Sequence, residues 1–218
     1  TVFSAAPMGD LNAFARFQHD RWGTQGDTIK ARREEDEAAM EVLGAEFRLL
    51  DFPDAIYRGD LYLSDDDLFG RVKPQDAGTF LAVTRAIRSL FDEVGAASLF
   101  VPLGVGGHVD HRLCQASADA LLGGGGPVYF YEDFPYAATP GAADTRLREF
   151  TLSLESEIVD VSSEIDQRIA AIAAYASQVP TIFRHHGPFD QVVRSYAANV
   201  AAVPGEYGER FWRVANPS

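Results

Sequence analysis

The feature that most constrains the fold of this 218-residue chain is an alternation of strand-like and helix-like segments. Apolar runs rich in β-branched and aromatic residues end at a glycine or proline, and stretches with helical spacing follow them. Strands that alternate with helices indicate βαβ units, which build a mostly parallel sheet covered by helices on both faces. We therefore expect an α/β protein in which a single domain spans residues 1–218.

The glycines and prolines between the segments set their bounds along the chain. Strands are predicted at Thr1–Pro7, Glu46–Asp54, Ser98–Gly104, Pro127–Pro135 and Leu152–Asp160. Helices are predicted at Thr28–Leu43, Thr79–Val94, His111–Leu122, Val161–Ser177 and Phe189–Val200, with glycines at 123–126 ending the third. The acid-rich stretch Tyr57–Gln75 is predicted to be a surface insertion, with Ser64–Asp67 as a solvated loop, and the chain after residue 200 is expected to be irregular.

Charge and composition limit the kinds of molecule that this chain can bind. The chain carries 32 acidic and 19 basic residues, a net charge of −13, which argues against nucleic acid or an anionic membrane as partner. No apolar run approaches the ~18–20 residues needed to span a bilayer. The single cysteine, Cys114, fits a reducing compartment and a small buried side chain. These features predict a soluble cytoplasmic protein and leave a homo-oligomer open.

The sequence "LGVGGHVDHR" (Leu103–Arg112) follows a predicted strand directly, and in α/β sheets ligands bind beyond the carboxyl ends of the strands. His108 and His111 are two of only five histidines, and their spacing lets both rings face one cleft. Asp110 can accept a bond from a ring N–H, as carboxylates behind metal-ligating or acid–base histidines do. A catalytic zinc takes three protein ligands, however, and this motif offers at most two. The spacing alone leaves open a surface pair that caps a helix.

The remaining histidines are expected to have surface, structural or packing roles. His185 and His186 are adjacent, and neighbouring loop residues rarely face one ligand, so a surface or structural role is expected, with the border of a substrate cleft as the alternative. His19 lies beside Arg21 and Trp22, where packing or the edge of a substrate site is expected rather than metal binding.

Several segments, in order, resemble the LmbE-like (PIG-L) family of zinc-dependent N-acetylglucosaminyl deacetylases. They are Thr1–Pro7, Arg32–Gly44, Leu50–Asp54, Pro102–Arg112 with its His-x-Asp-His motif, Tyr129–Ala137 and Ile169–Gln178. The resemblance implies a Rossmann-like three-layer fold, Zn²⁺ or another divalent metal as cofactor, and a small-molecule amino-sugar substrate whose acetamide is hydrolysed.

The resemblance also implies roles for individual residues. His111 matches the metal ligand of the motif, and His108 matches the histidine that stabilises the oxyanion or protonates the leaving amine. Asp110 matches the acid that orients His108. Arg32 matches an arginine that contacts substrate, with Arg33 as the candidate if the register shifts by one. The end of the strand at Glu132, Asp133 and Tyr136 is placed to border a sugar pocket.

This sequence departs from the family pattern in two places. A His-Pro-Asp-Asp-Glu-like stretch supplies the other metal ligands and the general base in the family, and it is not found in these 218 residues. We expect it in a strand–loop–helix unit of roughly 35–45 residues before Thr1, and we expect the chain to be inactive without it. Some members also carry a tyrosine where this chain has Gly106. A catalytically inactive binding protein and an amidase for non-sugar conjugates are the alternative functions.

Overall fold

The structure is a computed structural model, and it describes residues 1–23, 27–122 and 126–215. The α-helices of this part are α1 (Ala13–Trp22), α2 (Thr28–Leu43), α3 (Asp65–Leu68), α4 (Ala77–Val94), α5 (Val109–Asp119), α6 (Ala142–Leu147), α7 (Ile165–Ala173), α8 (Val179–Ile182) and α9 (Phe189–Val200). The strands are β1 (Leu99–Pro102), β2 (Val128–Tyr131), β3 (Leu154–Asp160) and β4 (Gly208–Val214). The mixture of helices and strands confirms the α/β class.

Two compact units make up the chain. The first contains Thr1–Ser64 and Asp160–Glu209, and the second contains Asp65–Val159 with the segment from Arg210 onward. The expected histidine motif lies in the second unit, and Arg32 lies in the first.

The strands form a four-stranded sheet in the order β1-β2-β4-β3. β1 and β2 are parallel, with Leu99 beside Val128, whereas β2 and β4 are antiparallel. The expectation of a mostly parallel sheet is therefore wrong for the strands described here. The reason is the strand after α9, which runs back between β2 and β3 and so reverses direction against its neighbour, as in many mixed sheets.

Strand β4 also differs from the prediction, which expected the chain after residue 200 to be irregular. Its alternate residues Arg210 and Trp212 both bind the buried carboxylate of Glu132, at 2.7 and 2.9 Å from Oε1. On the same strand, Phe211 meets the ring of Phe100 edge to face at 5.3 Å. A buried carboxylate needs such partners, so this strand is specified by contacts with Glu132 and with Phe100 of β1 rather than by a local pattern.

In the second unit, α4 packs against α5, the helix that carries the histidine motif. α4 and α5 pack together through buried side chains such as Val83 and Leu113, and Thr84 donates to Ser117 at 3.0 Å across their contact. The small hydrophobe Cys114 is buried on α5, as predicted. The glycines at 123–125, expected to end this helix, lie outside the described residues.

The acidic run Ser64–Asp67 was expected to be a solvated loop. It instead forms the first turn of α3, where Asp67 pairs with Lys73 at 2.6 Å.

In the first unit, α2 begins and ends as the sequence predicts. Asp27 accepts from the N–H of Lys30, and Gly44 closes the helix in the left-handed conformation at a φ of 64°. The two strands expected at Thr1–Pro7 and Glu46–Asp54 are reduced to one parallel bridge between Phe3 and Phe52. In the part of the chain that the structure describes, no helix is long and apolar enough to cross a membrane.

Candidate active site

The glycine turn after β1 sets the direction in which α5 starts. Gly106 and Gly107 both have positive φ, 82° and 84°. A Cβ at Gly106 would lie 2.6 Å from Cγ of Tyr136, and one at Gly107 would lie 2.9 Å from the carbonyl oxygen of Phe69. Any side chain would therefore be both strained and obstructed, so the chain can make this turn only with glycine.

His108 is the residue that caps α5. Its Nδ1 accepts the backbone N–H of Asp110 at 3.2 Å, the bond that an N-cap side chain makes with the first turn of a helix. The ring meets Phe69 edge to face at 5.4 Å. Asp110 therefore reaches His108 through its main chain, while its side chain is buried.

His111 lies one turn further along α5, with its ring centroid 5.2 Å from that of His108. Its Nδ1 is 2.5 Å from Oδ1 of Asp133, and its side chain remains 38% exposed. A carboxylate behind Nδ1 fixes the orientation of an imidazole and raises its basicity. The structure thus brings the two predicted histidines together and gives His111 the environment of a ligand or a base.

Asp133 ties this arrangement to the sheet. It is 2% exposed, and its Oδ2 accepts the backbone N–H groups of Gly104 and Val105 at 2.7 and 2.8 Å. One carboxylate therefore holds the glycine turn and the ring of His111 at once. Sequence reasoning placed Asp133 at a pocket border and missed this contact. The signal was available, because the carboxyl ends of two neighbouring parallel strands meet at one edge of the sheet.

Arg146 supports the same turn from α6. Its Nε donates to the carbonyl of Leu103 at 2.9 Å, its Nη2 to Gln115 at 2.8 Å and its Nη1 to Glu149 at 2.7 Å. Arg112 shares the Glu149 carboxylate at 3.1 Å. These arginines and the glycine turn line an open cavity of about 510 Å³.

Tyr136 places a phenol ring beside His111, with the centroids 6.4 Å apart. Burial, with a smaller contribution from the charge of Asp133, raises the pKa of Tyr136 to about 12. The phenol is therefore protonated at neutral pH and can act only as a neutral hydrogen-bonding group. Glu132, the other acid of this segment, is committed to β4 and has a structural role.

The fit of this site to a metal rests on His111, whose ring has its Nδ1 on a carboxylate, as metal-ligating histidines usually do. Within residues 1–23, 27–122 and 126–215, no group of three His, Cys, Asp or Glu side chains is arranged to hold a metal ion. The described residues thus offer one well-oriented ligand and not a complete set.

Arg32 and His19 lie in a separate cluster in the first unit. Arg32 pairs with Asp54 at 3.2 Å, and its guanidinium stacks on Trp22 at 5.1 Å. His19 is bonded to the hydroxyl of Tyr57 at 2.6 Å. Burial and, second, the charge of Arg32 lower the pKa of His19. The neighbouring candidate Arg33 instead pairs with the exposed Asp51 at 2.5 Å.

The pair His185 and His186 is exposed, and Nε of Arg184 donates to Nε2 of His185 at 2.9 Å. This agrees with the surface role expected for it.

Comparisons with known proteins identify relatives of this chain. No family model matches the chain. The chain is 37% identical over 152 residues to the 2'-N-acetylparomamine deacetylase of Streptomyces fradiae, an alignment that covers 67% of this chain and 53% of that protein. A second 2'-N-acetylparomamine deacetylase, from Niallia circulans, is 35% identical over 126 residues, 55% of this chain and 46% of that one.

Solved structures agree across the whole chain. A crystal structure of a deacetylase of the teicoplanin biosynthesis pathway, in complex with bog, superposes with a TM-score of 0.83 at 28% identity. It matches 100% of this chain and 86% of that chain. The zinc-inhibited form of the teicoplanin deacetylase Orf2 gives the same TM-score at 26% identity, with the same coverage.

The sequence identity to these deacetylases and the fold shared with them place this chain in the LmbE-like family, to which they belong. The chain spans about half the length of the curated relatives it matches.

Proposed function

We propose that this chain carries the histidine pair of a metal-dependent N-deacetylase that hydrolyses the acetamide of an N-acetylglucosamine-type sugar or glycoconjugate. The observation that carries the proposal is His111, held beside His108 with the buried carboxylate of Asp133 behind it. Relatives named 2'-N-acetylparomamine deacetylase and teicoplanin deacetylase support a sugar-type substrate.

In the proposed reaction, His111 is the residue of this chain that holds the metal. The chemistry that a bound divalent metal such as Zn²⁺ would supply is polarisation of the acetamide carbonyl and a water whose pKa is lowered to about 7. Asp133 keeps the ring of His111 in place, and the bonds from Gly104 and Val105 keep Asp133 in place. His108 donates a hydrogen bond to the oxygen that becomes negative as water adds to the carbonyl, which stabilises the transition state. The rings of Tyr136 and Phe69 pack against each other beside the two histidines.

Arg32 is proposed to contact the substrate, as the family resemblance implies, and Asp54 and Trp22 fix the position of its guanidinium. Asp110 is proposed to help orient His108. The described residues supply one oriented ligand, so the proposal needs further metal ligands and a general base of the kind that the family's His-Pro-Asp-Asp stretch supplies. Residues 1–218 are proposed to belong to one LmbE-like domain.

The test is acetate release by the protein as its gene encodes it, with 2'-N-acetylparomamine and N-acetylglucosamine as substrates. We expect deacetylation that a chelator abolishes and Zn²⁺ restores. His111→Ala should lose both metal and activity, whereas His108→Ala should retain metal and lose turnover, because its contribution belongs to the transition state. Activity that survives both chelation and His111→Ala would contradict the proposal. Sugar binding without hydrolysis would identify the inactive binding protein instead.

A further inference from the structure

We infer that His108 and His111 are held in opposite tautomers, so that Nε2 of His108 carries a proton and Nε2 of His111 carries a lone pair. The consequence for catalysis rests on the proposed deacetylase function. The tautomers themselves follow only from hydrogen bonds within the second unit, and they can be measured without metal or substrate.

The tautomer of His108 follows from its position as a helix cap. The backbone N–H of Asp110 points at Nδ1 from 3.2 Å, and an N–H group can only donate. Nδ1 must therefore supply the lone pair. A neutral imidazole has one N–H, so the proton of His108 lies on Nε2.

The tautomer of His111 follows from the bonds that Asp133 already makes. Oδ2 of Asp133 accepts two backbone N–H groups, from Gly104 and Val105, and an ionised carboxylate has no proton to give. Oδ1 of the same group lies 2.5 Å from Nδ1 of His111, so that nitrogen is the donor. The lone pair of His111 is therefore on Nε2.

The result is a hydrogen-bond donor and a lone-pair nitrogen on two rings whose centroids are 5.2 Å apart. A cation needs the lone pair, and a carbonyl oxygen that gains negative charge needs the donor. Two histidines of one motif thereby acquire different chemistry from two different partners, a helix main chain and a buried acid. Asp133 acts as a positioning residue, because it acts on the reaction only through His111.

The direct test is ¹⁵N NMR of the histidine side chains in the metal-free protein, read at alkaline pH once the ring shifts no longer change with pH. The variants His108→Gln and His111→Gln assign the two rings by loss of their signals. We expect the protonated-nitrogen shift on Nε2 of His108 and on Nδ1 of His111. The same tautomer on both rings, or the reverse pair, would overturn the inference even if the protein proves to be a deacetylase.

Asp133→Asn changes the group that faces Nδ1 of His111 but can keep the hydrogen bonds that hold the glycine turn. The amide oxygen can keep the bonds from Gly104 and Val105, which leaves the NH₂ group facing Nδ1 of His111. Because that group donates, Nδ1 must now accept and the proton of His111 must move to Nε2. His108 should be unchanged. A His111 that keeps its proton on Nδ1 in this variant would show that Asp133 does not set the tautomer.

Two matched variants complete the experiment. Glu132→Gln changes the neighbouring buried acid, which binds Arg210 and Trp212, and should leave both tautomers as in the parent protein. Asp110→Asn keeps the backbone N–H but removes the carboxylate, and His108 should keep its proton on Nε2. A changed tautomer of His108 in that variant would assign its control to the Asp110 side chain and overturn the role of the main-chain cap.

Discussion

Two histidine clusters in this molecule place the imidazole ring in different polar environments. In the first unit, both ring nitrogens of His19 are bonded to neutral hydroxyls, Tyr57 at 2.6 Å and Thr28 at 3.1 Å, and the ring stacks on Trp22. In the second unit, His111 gives one nitrogen to a carboxylate and keeps 38% of its side chain exposed. What differs is the partner of the ring, which is two neutral hydroxyls for His19 and a carboxylate for His111.

Replacing each histidine by alanine tests this contrast most strongly. We expect His111→Ala to lower kcat/KM for deacetylation by more than about 100-fold, since even the residue behind a metal ligand is worth ~10–100-fold. Its unfolding free energy should also fall, by about 1–3 kcal/mol, because the buried carboxylate of Asp133 loses a hydrogen-bond partner. His19→Ala should lose about 1–2 kcal/mol of unfolding free energy, since two hydroxyls lose their partner.

Activity per folded molecule, with thermal unfolding measured in parallel, checks this pair of variants. If His19→Ala abolished turnover without any loss of stability, the distinction between a packed and a reactive histidine would fail.

The support of the histidine turn is expected to depend on Arg146. Arg146→Met should lower the unfolding free energy by about 2–4 kcal/mol, because it leaves the carbonyl of Leu103 and the amide oxygen of Gln115 without their buried donor. The control is Arg213→Met, which breaks an exposed pair with Glu155 and should cost no more than about 1 kcal/mol. Denaturant titration measures both, and equal losses would show that the buried network adds nothing to the turn.

The sequence predicts this site unevenly, for physical reasons. Helix α2 could be placed residue by residue, because its cap at Asp27 and its stop at Gly44 are local signals. The histidines could be placed at a strand end for the same reason. Asp133 was not assigned to His111, because the two residues are 22 positions apart and come together only through the pairing of β1 with β2. Strand β4 was missed because Glu132, far along the chain, is what its side chains bind.

A smaller effect should separate the glycine turn from an ordinary glycine of the same backbone conformation. Gly106 and Gly9 share a φ of 82°, but an added Cβ meets Tyr136 at the first and nothing within 4 Å at the second. Both alanine variants carry the cost of a left-handed residue, about 1–2 kcal/mol. Gly106→Ala should lose about 1–2 kcal/mol more by displacing the tyrosine, an overpacking cost. Indistinguishable unfolding free energies would mean that Tyr136 moves aside without cost.

The last and smallest effect concerns pH. Burial and Arg32 lower the pKa of His19, against a weaker opposing effect of Asp20 and Asp54. The unfolded chain therefore binds a proton at this residue more readily than the folded protein does, so stability rises with pH through this interval. The contribution is present in full above the unfolded pKa of about 6.5 and is lost as the pH falls toward the folded value. His19→Gln, which keeps a polar group but cannot titrate, should therefore lose less unfolding free energy than the parent protein between pH 7.5 and pH 5.5. Urea titrations at the two pH values measure this difference. An equal or greater loss in the variant would place the acid sensitivity elsewhere and remove His19 from the comparison as a histidine kept neutral by its packing.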